Sequence, residues 1–417
     1  MPELDDTRLL LKAEQRRQDH DPPLFGKLTA VAVMRTQDNG LIAASFCGKK
    51  RLQKCIEAAR DESTAPKFQL FYITMSATGT LHIAADVFQE LALCYDIPVA
   101  FINSVLDYGG EPRYTAFGSR PPRAEKIQVF WYTLPIRLAL DCTTEAGGEQ
   151  LVADLTRDCT TNHHGEHSDA NPGSDYLHLD TQKTDIGQFD LAVFCRHNLL
   201  EKTTAVICVY LCSGLLESAE VTKQRVLHAL DDGGMGMIDR NPLWVNIVYI
   251  SMAVHFWKVT FEYVASELNS DEKEVAHMLV NQAQLRVVED TTSAKYKKLH
   301  TMDAHCQRYK MELATISAVI VGMMREHKVM SEQLKLDVHE AQRVGSAFKQ
   351  QLAETTALTM AQEDMERRIR NLLTVNNSYS IPSKLQMTGN RSRMAKHSKR
   401  SQSPTKTRSN KRRRTAE

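Results

Sequence analysis

Residues 241–258 read NPLWVNIVYISMAVHFWK, and this long apolar stretch constrains the fold more than any other part of the chain. It must either cross a membrane or lie in a protein core, and a membrane-spanning helix needs about 20 mainly apolar residues with few or no charges. Polar residues in and after the stretch recur at spacings of four, three and four: Ser251, His255, Lys258 and Glu262. This spacing places them on one face of an α-helix, and a lysine at the centre of a bilayer costs at least ~2.5 kcal/mol. We therefore predict a core helix with one solvated stripe and with Trp244, Val248 and Trp257 facing inward.

The nine cysteines are scattered along the chain, and no CxxC pair occurs among them. An odd number of cysteines without paired spacing argues against a disulfide scaffold and against a zinc ribbon. The N-terminal segment alternates charged residues with short apolar pieces and has no signal-peptide core. We therefore expect a soluble protein with reduced thiols in the cytoplasm or the nucleus.

Strand-like and helix-like segments interleave in the first half of the chain. Five runs rich in β-branched and aromatic residues indicate strands, at 29–34, 68–75, 126–134, 189–194 and 204–211. Helical patterns lie between the first of these runs, at 49–62, 85–95 and 98–109. Pro98 begins the last of these helices, because proline is tolerated in a first turn. Interleaving without strict βαβ alternation predicts an α+β fold that contains a mixed α/β domain.

Changes in composition divide the chain into four predicted parts: a charged leader at 1–24, a mixed α/β domain at 25–235, a helical stalk bundle at 241–375 and a disordered basic tail at 376–417. Residues 143–187 are polar and rich in turn formers, which predicts a long loop or insertion in the mixed domain. The glycine-rich run GGMGMI at 233–238 lacks the strand and helix context of a nucleotide-binding loop, so we interpret it as a linker.

A heptad pattern marks the end of the predicted stalk. Apolar residues alternate at spacings of three and four from Leu334 to Leu372, with two polar exceptions, Thr355 and Gln362. The pattern indicates a long helix suited to antiparallel packing or to a coiled coil. Packing against the preceding helix of the same chain is the favoured interpretation, and a partly filled stripe also leaves apolar surface for a homo-oligomer. Candidate N-caps of the stalk helices lie at Asn269–Asp271 and Ser331.

Three segments carry a resemblance to a known family: FQELALCYDIPVAFINSVLDYG at 88–109, NPLWVNIVYISMAVHFWKVTFEYVASEL at 241–268 and KLHTMDAHCQRYKMELATISAVI at 298–320. With the order of a mixed domain, long helices and a heptad helix, the chain from about Phe68 to Val375 resembles the cytoplasmic part of the CorA-type magnesium transporters, and particularly the fungal CorA-like proteins. The resemblance implies an α/β cytoplasmic domain, long stalk helices, oligomerisation and sensing of divalent ions by acidic side chains between subunits.

The chain departs from that family where the pore belongs. A CorA transporter follows its stalk with two membrane helices joined at a Gly-Met-Asn motif, and no Gly-Met-Asn occurs here. After Val375 the chain becomes polar and basic. We therefore expect a relative that lacks the pore, or else a truncated gene model of a membrane CorA-like transporter. A membrane location applies only in the second case.

The chemistry-bearing residues give few signals. His163, His164 and His167 form a histidine cluster in the polar insertion, which is a weak candidate metal site because zinc ligands usually converge from separated segments. No nucleophile-elbow, Walker or paired-carboxylate pattern supports an enzyme, and we expect neither catalytic residues nor a cofactor. The acidic pairs Asp231–Asp232 and Glu289–Asp290 fit magnesium sensing through the resemblance alone, and ordinary surface acids are the simpler interpretation.

The C-terminal tail carries the sharpest local signal. Residues 384–417 contain twelve lysines and arginines and one acid, which leaves 40 basic and 50 acidic residues in positions 1–383 out of totals of 52 and 51. Two basic clusters have the form of a bipartite nuclear import signal: Lys399 and Arg400, then Lys411, Arg412, Arg413 and Arg414. Ser403 precedes a proline between them and is a phosphorylation candidate. The alternative is a basic tail that contacts nucleic acid or anionic lipid without specificity.

These observations leave two functional classes open. The first is a non-enzymatic CorA-like module that regulates or assembles divalent metal ion transport, as a homo-oligomer or with a full-length CorA-like partner. The second is a nuclear interaction protein that binds an import receptor through its tail.

Overall fold

The computed structural model describes residues 25–397, with gaps at 28, 38–39, 61–65, 77–78, 107–116, 124–126, 142–175, 212–215, 232–233 and 281–288. These residues form one mixed sheet and a set of helices, so the predicted α+β class is confirmed. The leader 1–24 lies outside the described residues, as does the tail beyond 397.

The strands are β1 (Val31–Gln37), β2 (Gly40–Cys47), β3 (Phe68–Ile73), β4 (Phe117–Arg123), β5 (Ile127–Asp141), β6 (Leu177–Leu179), β7 (Thr184–Asn198) and β8 (Thr203–Leu211). Their order across the sheet is β2-β1-β3-β8-β7-β5-β4, and β6 pairs with β7. Strands β3 and β8 run parallel, whereas the other pairs are antiparallel. All five predicted strands are present.

The helices are α1 (Lys49–Arg60), α2 (Ala85–Cys94), α3 (Val99–Leu106), α4 (Leu216–Asp231), α5 (Gly234–Arg240), α6 (Trp244–Val280), α7 (Glu289–Gln333) and α8 (Val338–His397). Helix α3 begins directly after Pro98, as predicted, and the Phe101 amide donates to the Pro98 carbonyl at 3.0 Å. The predicted linker at 233–238 instead contributes to α5, where Met237 and Ile238 are buried.

Strand β8 shows how the sheet separates two cores. Along this strand Val206, Cys208 and Tyr210 face the core shared with the long helices, whereas Ile207 and Val209 face the core shared with α1, α2 and α3. A strand buried on both faces reads as a continuous apolar run instead of an alternating one, as TAVICVYL does. The sheet is therefore a middle layer between the short helices and the long helices.

Helix α6 lies against β5 in the larger core. The Trp257 side chain is fully buried, and its Nε1 donates to the Pro135 carbonyl at 3.0 Å. The predicted polar stripe is exposed at all four positions, so the core-helix prediction is confirmed for this face. Trp244 and Val248 are half-buried. These four side chains are exposed to solvent because this side of the helix faces away from the sheet.

Helix α8 lies across α6 and α7, which run antiparallel to each other. Glu354 accepts from Lys258 of α6 at 2.6 Å, and Gln362 of α8 donates to the Cys306 carbonyl of α7 at 2.9 Å. Most of the heptad stripe is buried in this contact, including the two polar exceptions, Thr355 and Gln362. The heptad stripe therefore packs within the chain, and the predicted contact with the preceding helix is confirmed.

The N-caps predicted for the long helices are wrong. Asn269–Asp271 lies inside α6, and Ser331 lies inside α7, where its hydroxyl donates back to the His327 carbonyl at 2.7 Å. The helix α8 is capped by Asp337, whose carboxylate accepts from the His339 amide at 2.9 Å. The Asn269 side chain instead accepts from Arg368 of α8 at 2.5 Å. Serine and asparagine side chains can therefore bond groups within or beside a helix, so their presence alone did not locate a helix end.

Two predicted boundaries also differ, and two strands were not predicted. Helix α8 is helical to His397, beyond the expected start of a disordered tail at 376, and Lys, Arg, Gln and Met in that segment are good helix formers. The end of the predicted insertion forms the β6–β7 hairpin, in which Leu177 and Leu179 are buried. Strands β2 and β4 were not predicted. The proline-containing β4 is an edge strand paired only with β5, the position in a sheet that tolerates proline.

Candidate functional site

Polar and ionisable side chains are buried or partly buried where the β5–β7 end of the sheet meets α6 and α7. We call this set the ionic seam, and its members are Arg137, Gln188, Asp190, Glu267, Asp271, Lys298, His305, Tyr309 and Glu312. Lysine, arginine and acidic residues are rarely buried unless they are paired. The ionic seam is therefore the candidate functional site among the described residues.

Arg137 is the centre of one part of the ionic seam, which contains Gln188, Asp190, Tyr309 and Glu312. It lies on β5 opposite Gln188 of β7, and its side chain has no exposed surface. Nε donates to Glu312 Oε2 at 2.8 Å, and Nη2 donates to Glu312 Oε1 at 2.5 Å and to Gln188 Oε1 at 2.7 Å. The guanidinium carbon lies 5.1 Å from the centre of the Tyr309 ring. This bidentate ion pair, with a cation–π contact, compensates the loss of water around a buried charge.

Asp190 places a second carboxyl group near this pair. Burial and, to a smaller extent, the negative charge of Glu312 raise the pKa of Asp190, whereas Arg137 lowers it, and the net pKa is about 7. Both Glu312 and Arg137 act on Asp190 through their charges, and two nearby like charges disfavour double ionisation. Asp190 is therefore the group of the seam that changes protonation near neutral pH.

His305 lies two turns before Glu312 on α7 and is fully buried. Burial lowers its pKa to about 3, with a smaller effect of the positive charges of Arg308 and Arg137. Its Nε2 lies 2.9 Å from an Arg308 nitrogen, so the neutral ring accepts that hydrogen bond. His305 is therefore uncharged at neutral pH, and its ring lies 5.9 Å from the ring of Tyr309.

Lys298 is the centre of the other part of the ionic seam, which contains Glu267 and Asp271. Its ammonium group contacts Glu267 of α6, which is fully buried, and lies 3.0 Å from Asp271 Oδ1. Burial disfavours the charged amine, but hydrogen bonds to Glu267 and Asp271 raise the pKa of Lys298 overall. Thr181 of the β6–β7 hairpin donates its amide and its hydroxyl to Glu267 at 3.1–3.2 Å. These contacts tie the hairpin to both helices.

The hairpin carries a further charged set at its surface. His178 Nδ1 lies 2.5 Å from Asp185, and Nε2 lies 3.3 Å from Asp180. Hydrogen bonds to Asp180 and Asp185 raise the pKa of His178 to about 10, so it is a cation at neutral pH. Asp180 also lies 4.0 Å from Lys298. The histidine therefore extends the charge pairing of the seam out to solvent.

The positive charges of the ionic seam belong to protein side chains, Arg137 and Lys298. The Lys298 ammonium lies among carboxylates, the position that a bound cation would otherwise take. Among the residues that the structure describes, no group of three His, Cys, Asp or Glu side chains is arranged to hold a metal ion. The arrangement therefore fixes α6 and α7 against the β5–β7 end of the sheet through mutually neutralised charges.

The sequence-predicted sites lie elsewhere. His163, His164 and His167 fall in the gap at 142–175, and the two basic clusters with Ser403 lie beyond 397, so all of them are outside the described residues. Asp231 ends α4 and Glu289 begins α7, at positions whose side chains the structure does not describe. Sequence reasoning missed the ionic seam. One signal was present, because Arg137 interrupts the apolar strand run IQVFWYTLPIRLAL.

No known protein-family model matches this chain, and no characterised protein matches it in sequence. Within the described ranges, no helix has an apolar stretch long enough to cross a bilayer.

Proposed function

We propose that this chain is a non-enzymatic regulatory or assembly module linked to divalent metal ion transport, similar to the cytoplasmic part of a CorA-type magnesium transporter. It acts as a homo-oligomer or through a full-length CorA-like partner. The observation that supports the proposal is the order of its parts: a mixed sheet, then α6 and α7 packed on one face, then a 60-residue α8. A helix of that length spans roughly 90 Å, which suits a stalk.

The ionic seam supports an assembly role more than turnover. Its charges are used in fixed pairs that connect the sheet to the stalk helices, as in the contacts of Arg137 with Glu312 and of Lys298 with Glu267. A buried charge that loses its partner is costly, so these contacts resist sliding of the helices over the sheet. Such a body presents α8 to another chain in one fixed orientation.

The test is the mass of the full-length chain in solution, measured by sedimentation velocity with magnesium chloride and with sodium chloride at matched ionic strength. We expect a mass above that of the monomer and a change in assembly that magnesium produces and sodium does not. A second arm measures co-purification with a full-length CorA-type transporter. A chain that is monomeric in both salts and is not retained by the transporter would refute the proposal.

The basic tail favours a second candidate function, a nuclear interaction protein. Two clusters of extended cations separated by a spacer fit two acidic grooves on one import receptor. Residues 396–417 fused to a fluorescent reporter should concentrate it in the nucleus, and Lys411→Ala with Arg412→Ala should abolish this. Ser403→Asp should weaken import in part, because it adds opposing charge between the clusters. An evenly distributed reporter would exclude this candidate.

A further inference from the structure

We propose that strand β2 accepts an extended acidic peptide of a partner protein as a further strand, and that cations of helix α1 recognise its acidic side chains. This surface lies at the end of the sheet that is far from the ionic seam. The inference goes beyond the assembly role proposed above and does not depend on it.

Strand β2 forms one edge of the sheet and pairs only with β1 among the described strands. Along an antiparallel strand, alternate residues direct their N–H and C=O groups away from the neighbouring strand, so the outer edge of β2 presents unpaired backbone groups. Its sequence, GLIAASFC, contains neither a charged residue nor a proline, which are features that usually protect an edge strand. An edge of this kind is a template for a further strand.

Strand β4, at the other edge of the sheet, is protected. The strand Phe117–Arg123 contains two arginines and two prolines, and proline has no amide hydrogen to donate to a neighbouring strand. The ring of Phe117 also lies against Gly322 of α7. Of the two described edges, β2 is therefore the one that remains open to pairing.

Helix α1 follows β2 after a single residue, Gly48, and covers the β2 end of the sheet. Leu52 and Ile56 of α1 are buried in the core shared with α2 and α3. Helix α3 packs on β5 and β7, α2 packs against α1, and α1 packs on β2. The side of α1 that faces away from α2 therefore lies above the open edge of the sheet.

The cations of α1 lack acidic partners on that side. Lys49 contacts Asp86 of α2, whereas Lys50, Arg51 and Lys54 are exposed and form no ion pair among the described residues. The first turn of α1 contains three cations and no acid, although the positive end of the helix dipole lies there. A carboxylate on an added strand would offset this repulsion.

The position of α1 also specifies which residues of the added strand are acidic. Successive side chains of a strand point to opposite faces of the sheet, so every second residue of the added strand lies on the α1 side. Helix α1 has five basic residues and one acid, Glu57, so this side attracts carboxylates. The matching ligand is an extended segment as long as the 8-residue β2, with acidic residues at alternate positions.

A second copy of this chain does not fit the same edge. Two β2 strands that pair antiparallel about a twofold axis would carry both α1 helices on the same face of the joined sheet. Lys50, Arg51 and Lys54 would then lie near their equivalents, and like charges across an interface are unfavourable. The charges therefore select a partner of opposite sign.

The experiment follows amide hydrogen exchange in residues 40–47 of the full chain by mass spectrometry while a synthetic peptide is added. The probe is the capped peptide TEVEVEVT, and its control, TEVEPEVT, has the same charge but a proline that disrupts strand pairing. We expect the probe to slow exchange in residues 40–47 and to leave exchange in residues 117–123 unchanged. Because exchange is measured at β2 itself, binding of the acidic peptide to the basic tail does not contribute.

A pair of double variants tests the role of α1. Lys50→Glu with Lys54→Glu should raise the probe concentration that gives half of the protection by about tenfold, because two attractive charges become repulsive. Lys328→Glu with Lys349→Glu changes two exposed lysines of the long helices and should leave that concentration unchanged. Circular dichroism shows whether each variant keeps its helix content.

Four results would overturn the proposal. The first is no protection of β2 at probe concentrations up to about 1 mM. The second is equal protection by the proline peptide, which would make the surface one of charge alone. The third is equal binding of the probe to both double variants. The fourth is protection of β2 without any peptide: independent of protein concentration, it would assign the edge to the chain's own leader, and dependent on concentration, to a second copy.

Discussion

Replacing Glu312 by alanine is the sharpest test of the ionic seam. The change leaves the fully buried guanidinium of Arg137 without either bond to the carboxylate, at 2.8 and 2.5 Å. The bond to Gln188 and the ring of Tyr309 remain, but neither carries a compensating charge. Removing one partner of a buried ion pair costs about 3–5 kcal/mol. We expect about 3 kcal/mol, because the loss of the Glu312 charge lets Asp190 ionise more readily beside Arg137.

The assay is urea unfolding followed by tryptophan fluorescence. Trp257 reports on this region, because its ring lies 5.2 Å from the ring of Tyr309. With an m value of about 3 kcal/mol per molar urea, the midpoint should fall by roughly 1 M. Glu363→Ala is the control, since Glu363 pairs with Lys310 at 3.6 Å on the surface. The control should change stability by no more than about 0.5 kcal/mol.

A double variant separates the cost of an unpaired charge from the value of the pair. Arg137→Met with Glu312→Leu replaces the ion pair by apolar side chains of similar size, and such replacements are often neutral. We expect the double variant to recover at least half of the stability that Glu312→Ala loses. A loss below about 1 kcal/mol in Glu312→Ala, or a double variant less stable than the single one, would contradict the reasoning.

Two further predictions concern pH and packing. The pKa of Asp190 rises on folding from 3.8 to about 7, so the folded state holds a proton that the unfolded state has released, and stability should fall as pH rises between these values. Asp190→Asn should remove most of that slope in urea midpoints measured across the interval, and an unchanged slope would assign it to other groups. A Cβ added at Gly322 would lie 2.5 Å from the ring of Phe117, so Gly322→Ala should cost about 1–3 kcal/mol by the same assay. Gly345→Ala, 3.6 Å from His327, should be neutral or stabilising by up to about 1 kcal/mol, and equal effects at both glycines would refute the packing argument.

The sequence by itself determined those helices and strands that arise from the spacing and type of neighbouring residues. The spacing of Ser251, His255, Lys258 and Glu262 predicted both helix α6 and its exposed side, because a helix repeats every 3.6 residues whatever it packs against. The β-branched runs located five strands, since such side chains suit a pleated surface. The heptad pattern of α8 likewise indicated a long helix. Its contacts in the structure are with α6 and α7 of the same chain.

Only the tertiary structure decided what these elements bring together. Strand β4 is stable through its pairing with β5, so its glycine, serine and prolines gave no strand signal by themselves. Asp337 caps α8 only because the chain turns there, whereas Ser331 is equally suited to capping and lies inside α7. The ionic seam joins Arg137 to a residue 175 positions away, Glu312. Arg137 stands out because it interrupts an apolar strand run, but Glu312 resembles any other charged residue in the sequence. Their burial, and the pKa values that follow from it, depend on the sheet and the long helices closing over them, a consequence of packing that no local pattern encodes.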